Sequence, residues 1–202
     1  MQHFHPKNNI YFILLASIVL AIGSFSTELS DLLRYDRNLI IEGEIWRIIT
    51  GHFTHLTWSH LLMNLAGFAL VFGFFGNLIS NGHWATFTFF SSIFISVILY
   101  LTSPELIWYV GLSGVLHGLL VLGGLYDFKV RRWESILFLS IIFIKLLWEQ
   151  LYGALPGSEE TAGGPVLVDA HFYGSISALI WFGGVKLCSV LSRPAANNSD
   201  NN

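Results

Sequence analysis

The chain has 202 residues, 53% of them hydrophobic and only 11% charged, with a formal net charge of -3. A water-soluble domain usually carries about 25% charged residues, so this composition excludes an ordinary soluble surface and suits lipid as the solvent. No long basic block occurs, which leaves nucleic acid without an electrostatic footprint, and the single cysteine, Cys188, rules out an internal disulfide framework.

The first apolar run covers residues 10–25, with only Lys7 before it and no convincing small-residue cleavage site after it. It reads as a retained first helix rather than a removed signal peptide. A more polar connection, 26–59, carries Arg34, Arg37 and Arg47 among five acidic residues, Glu28, Asp31, Asp36, Glu42 and Glu44. Five further apolar runs follow at about 60–79, 84–101, 106–126, 133–155 and 166–191. Several exceed the roughly 18 apolar residues that suggest a spanning helix. The Gly, Ser and His interruptions inside them require protein partners, because lipid cannot satisfy polar groups. The expectation is an all-α membrane protein, a six-transmembrane-helix bundle over residues 1–192, with Cys188 as a small filler near the end of the last helix. Residues 193–202 form a polar, Asn-rich tail with no apolar face to bury, expected to be disordered on the cytoplasmic side.

Lys and Arg placement sets the orientation. Lys129, Arg131 and Arg132 follow the fourth run, Lys186 and Arg193 lie at the end of the sixth, and the connection 153–165 has Glu159 and Glu160 but neither Lys nor Arg. Both termini and the fourth–fifth connection are therefore expected in the cytoplasm. The arginines of 26–59 dissent, since they would lie outside. With the amino terminus inside, helices two, four and six all start on the outer side. Near those starts lie His60 and Asn64, then Ser113, then His171, so polar groups from three helices reach a similar depth.

The fourth run contains Gly111-Leu112-Ser113-Gly114-Val115-Leu116-His117-Gly118. A serine hydroxyl is a weak nucleophile until a base takes its proton. His171 is the candidate base, because imidazole titrates near neutral pH. Gly114 and Gly118 make one small-residue face and Gly174 and Ala178 another, and such faces let membrane helices approach closely. That packing would bring Ser113 to His171. By itself, helix–helix contact without catalysis explains this spacing equally well. His60 and Asn64, at i and i+4, share a helix face and are candidate donors to a developing oxyanion, as are backbone N–H groups at the start of the helix bearing Ser113.

Trp46-Arg47, the series His52, His55 and His60, Asn64 four residues on, Gly111-x-Ser113-Gly114 and Ala170-His171-x2-Gly174 occur in the order seen in rhomboid proteases, which this chain resembles from about Trp46 to Leu191. The resemblance implies an intramembrane serine endopeptidase of the bacterial inner (cytoplasmic) membrane, with Ser113 and His171 as catalytic dyad. It implies an oxyanion and substrate-binding set of His60, Asn64, Gly111, Gly114 and His117. It also places Trp46 and Arg47 in an outer first loop partly inside the bilayer, which accounts for the dissenting arginines. Among rhomboids the chain is most similar to rhombosortases, through Ser113-Gly114-Val115-Leu116-His117-Gly118, Trp148-Glu149-Gln150-Leu151-Tyr152-Gly153 and Val168-Asp169-Ala170-His171. That likeness implies substrates anchored by a carboxy-terminal Gly-Gly sorting segment: small residues, a membrane helix, then basic residues. His117 departs from the aromatic residue common four positions after the serine, and is expected to stack on His171. The connection 76–83 lacks the acidic residue that some rhomboids carry there.

Neither a cofactor nor a resident metal is expected: His52, His55 and His60 lack a joining carboxylate and a regular helical spacing, and bracing of the first loop is the preferred reading. Lys145 and Glu149, i and i+4 on the fifth helix, read as a structural ion pair. Asp169 points away from His171, and no acidic third member is required. The Gly-rich connection 153–165 reads as an outer lid. Two other functions fit the composition: a non-catalytic rhomboid-like protein that binds membrane clients, and a small transporter using Lys145 and Glu149. The sequence does not choose between water and another amine as acyl acceptor.

Overall fold

The computed structural model describes residues 10–24 and 27–192. The tail at 193–202 and the segment holding Lys7 lie outside the described residues. Helix α1 is Ile10–Ser24, and three short helices, α2 (Thr27–Leu33), α3 (Arg37–Ile41) and α4 (Arg47–Thr50), fold the first connection. Then come α5 (Trp58–Phe75), α6 (Asn81–Thr102), α7 (Ser113–Asp127), α8 (Arg132–Tyr152), α9 (Ser158–Ala162) and α10 (Val168–Leu191). Two-residue strands β1 (Tyr35–Asp36) and β2 (Trp108–Tyr109) pair antiparallel.

By length and composition, α5, α6, α8 and α10 suffice to cross a membrane. Their outward faces are apolar: α8 alone exposes Leu137, Ile141, Phe143, Ile144, Leu147 and Leu151. Such a coat is costly in water and ordinary in lipid. Helices α1 and α7, at 15 residues each, rise only about 22 Å at 1.5 Å per residue, short of the roughly 30 Å hydrocarbon core. The apolar run 106–126 therefore does not become one long helix. Its first part is extended and pairs with β1, and the helix starts only at Ser113. Gly111 explains the break: its φ of 127° is in a region that side chains avoid. The Tyr109 hydroxyl donates to Gly111 O at 2.6 Å and fixes the turn.

Helix α7 is the axis of the bundle, with eleven of its fifteen residues buried. The small-residue faces meet as expected: a Cβ on Gly118 would stand 2.7 Å from Gly174 O, and one on Gly174 would collide with the Gly114 carbonyl. Gly174→Val is therefore expected to separate α7 from α10, costing several kcal/mol as overpacking against backbone. Thermal unfolding in detergent checks it. On the other side, Phe12 of α1 packs on Phe68 of α5 and Trp84 of α6, with ring centroids at 5.1 and 5.8 Å.

The first connection is held by Arg47, which is buried and donates to Asp31 O at 2.7 Å, Arg34 O at 3.0 Å and Glu44 Oε2 at 2.6 Å. His52, fully buried, donates Nε2–H to Ser92 O at 3.0 Å and Ser96 Oγ at 2.9 Å, joining this connection to α6. Burial pushes its pKa down to about 4, so the ring is neutral and acts as a brace. Ile41, Ile45 and Trp46 stay exposed on the same connection, an apolar surface suited to lying against lipid.

Candidate active site

Because α7 begins at Ser113, the serine occupies a helix start, where the first amides have no acceptor within the helix. Ser113 Oγ lies 2.9 Å from His171 Nε2, across the close α7–α10 contact. His117, one turn below Ser113, stacks on His171 as expected, with ring centroids 4.1 Å apart and planes 20° from parallel. Its Nδ1–H donates to Ser113 O at 2.7 Å, since a carbonyl only accepts.

The second nitrogen of His171 has a partner that sequence reasoning misses. Nδ1 lies 3.0 Å from Glu149 Oε2. The expected ion pair is also present, Lys145 Nζ to Glu149 Oε1 at 2.6 Å, with Glu149 itself buried. One carboxylate thus joins the ammonium on its own helix to the imidazole on α10. The Lys145–Glu149 ion pair is as expected, and the contact from Glu149 to His171 is an addition that the sequence does not indicate. The carboxylate fixes the ring: with Nδ1–H donating to Glu149, Nε2 keeps its lone pair for the serine hydroxyl. The available signal was the presence of ionisable groups at membrane depth, which are functional candidates by default. The sequence does not reveal that Glu149, 22 positions earlier on another helix, faces His171. Asp169 stands apart, as expected, and accepts from Gln150 Nε2 at 3.4 Å.

His60 and Asn64 stand side by side on α5, facing the same space. His60 Nδ1 and Asn64 Nδ2 are buried without a hydrogen-bond partner. Native interiors rarely tolerate such groups, and each one calls for a reason. Gly111 lies beneath His60: a Cβ there would sit 2.9 Å from His60 Cε1, so no larger residue fits. Gly114 packs against Ala170, where a Cβ would meet the carbonyl at 2.9 Å. Its location is structural, behind the serine rather than in the open space. His52 and His55 do not converge with His60 as a ligand set. His55 packs edge-on against His60 with centroids 4.9 Å apart, while His52 turns toward α6.

A cavity of about 690 Å³ opens above this floor, lined by His60, Asn64, Ser113, His117, Glu149 and His171 among others. Its outer wall includes the connection 153–165, which proves partly helical: α9 lies between two left-handed glycines, Gly157 at φ 80° and Gly163 at φ 78°. Thr57 Oγ1 donates to Ala162 O at 3.0 Å and Ser59 Oγ to Thr161 O at 2.5 Å, tying α9 to the start of α5. The site therefore brings together a hydroxyl, an imidazole with a partner on each nitrogen, two buried nitrogens without a partner and an open cavity, groups of the kind that acyl transfer uses.

A family model of the Rhomboid domain matches residues 42–186. That span includes every site residue named above. No curated protein matches the chain.

Proposed function

The chain belongs to the rhomboid family, and from that premise we propose that it is a serine endopeptidase that cleaves peptide bonds at membrane depth. The observation that carries the proposal is the 2.9 Å contact between Ser113 Oγ and His171 Nε2 on the floor of the cavity. Ser113 attacks the carbonyl carbon while its proton passes to Nε2. The imidazolium then gives that proton to the leaving amine, and the acyl-enzyme ester is opened by water or by another amine. Asn64 Nδ2, the His60 ring N–H and the Ser113 amide supply hydrogen bonds to the oxyanion. The two unpaired donors on α5 support this reading, because bonding only in the transition state requires that they be free beforehand. Glu149 is a positioning residue: it touches no reacting atom, holds the tautomer and offsets the charge that develops on the ring.

The membrane arrangement is six spans, with α1 and α7 joining the four long helices, and with both termini on the cytoplasmic side of a bacterial inner membrane. Lys129, Arg131 and Arg132 beyond the far end of α7 support that orientation. The substrates are transmembrane proteins whose carboxy-terminal anchor begins with a Gly-Gly segment, as for rhombosortases. Support for this subfamily is the sequence resemblance of the three stretches that carry His117, Glu149 and His171.

The test uses the chain in liposomes with a reporter ending in Gly-Gly, an apolar helix and basic residues. Release of the reporter ahead of the anchor is expected, and an uncut reporter, with other single-span substrates cut, would remove the substrate assignment. Asn64→Ala in the same assay should lower kcat by roughly 10²–10³ with little change in KM, the loss associated with one oxyanion donor.

A further inference from the structure

We infer that His117, Glu149 and His171 form an inhibitory site for a divalent transition-metal ion such as Zn²⁺. The inference rests on the reading of His171 as the base and adds a means of regulating it. One ligand atom from each of the three side chains lies within 4.8 Å of the others, and all three residues are buried. Two imidazoles and one carboxylate are a common donor set for zinc, and they leave a fourth position for water. Tetrahedral ligands about one zinc ion stand roughly 3.4 Å apart. Glu149 Oε2 and His171 Nδ1 already lie 3.0 Å apart, and His117 must tilt out of its stack so that its in-plane lone pair points to the same ion.

The hydrogen-bond pattern shows which atoms are available. His117 donates Nδ1–H to Ser113 O, so its Nε2 carries the lone pair and has no hydrogen-bond partner among the described residues. The stack keeps the His117 ring next to His171, within reach of the same ion once it tilts. An aromatic carbon ring at position 117 would stack equally well and supply no ligand. All three residues line the cavity, which gives the ion and its water a way in. Lys145 occupies the other carboxylate oxygen, Oε1, at 2.6 Å, leaving Oε2 for the cation. Its ammonium opposes the incoming charge, which keeps binding reversible.

The consequence for the base follows from counting protons. In the metal-free site the single ring proton of neutral His171 is on Nδ1 and Nε2 accepts from Ser113. When the metal takes Nδ1, that proton passes to Nε2. The ring then has no lone pair facing the serine, and Ser113 cannot be deprotonated. No proton or electron is gained or lost overall.

Two measurements test this. Calorimetric titration of the untagged, detergent-solubilised Ser113→Ala chain with Zn²⁺ should give one saturable site, weakened at least about tenfold by adding His117→Phe. Equal binding in both chains, or no saturable binding up to about 1 mM, overturns the site. In liposomes, micromolar Zn²⁺ should stop cleavage by the unmodified chain, and a chelator should restore it. For His117→Phe the ratio of rates with and without Zn²⁺ should stay near one. Zinc bound at the site without loss of cleavage overturns the inhibition. The binding arm uses a chain without its nucleophile, so a failed protease assignment and a failed metal site give different results.

Discussion

Ser113→Ala is expected to reduce cleavage by roughly 10⁴–10⁶-fold, the range seen when a serine nucleophile is removed, while the folded bundle persists. The activity loss follows from the chemistry: no other hydroxyl stands at 2.9 Å from His171 Nε2 among the described residues. Stability should change little, because Ser113 is only partly buried at the first position of α7, where its side chain supports no helical hydrogen bond. The nitrogen left behind faces the cavity, where water replaces the lost partner. The paired readouts are kcat/KM in liposomes and thermal unfolding in detergent. A variant that still cuts within tenfold of the parent would end the serine mechanism.

Glu149→Gln comes next in size, with kcat expected to fall by about 10²–10⁴ and KM nearly constant, by analogy with amide replacement of the carboxylate behind a catalytic imidazole. An amide can present N–H to His171 Nδ1. The ring then keeps its proton on Nε2 and cannot accept from Ser113. Lys145 also loses its counter-ion, but its side chain is 28% exposed, so water in the cavity softens the penalty. Glu149→Asp retains the charge one methylene short and should recover part of kcat. Replacing Lys145 with Met and Glu149 with Leu together removes the pair without leaving a lone charge, which separates chemistry from folding. A normal level of this double variant with undiminished cleavage would show that the carboxylate serves only to join helices.

Much of this arrangement is visible in the residue order, and the parts that are not have physical reasons. The small-residue spacing of Gly114, Gly118, Gly174 and Ala178 predicts the α7–α10 contact, because packing in lipid depends on how closely backbones approach. The stacking of His117 follows from its place one turn after the serine. By contrast, the apolar run 106–126 hides a helix start, since hydropathy is blind to the positive φ at Gly111 that ends the extended segment. Glu149 is hidden for a different reason. Helical periodicity pairs it with Lys145, four residues away, but which neighbouring helix its other oxygen meets depends on the rotation of α8 about its own axis. The short helix α9 lies in a Gly-rich stretch whose composition signals only a loop, and its hydrogen bonds to Thr57 and Ser59 join elements about a hundred residues apart.

Two clasp bonds, from Thr57 and Ser59, hold α9 to the start of α5. A net value of about 1 kcal/mol for each would leave roughly 3% of molecules unclasped at any moment. Were α9 the gate for a polypeptide from this direction, only that minority would admit it, and turnover would be the intrinsic rate multiplied by a small fraction. Changes at Thr57 or Ser59, well away from the nucleophile, would then tune the speed by altering that fraction and leave the chemistry untouched.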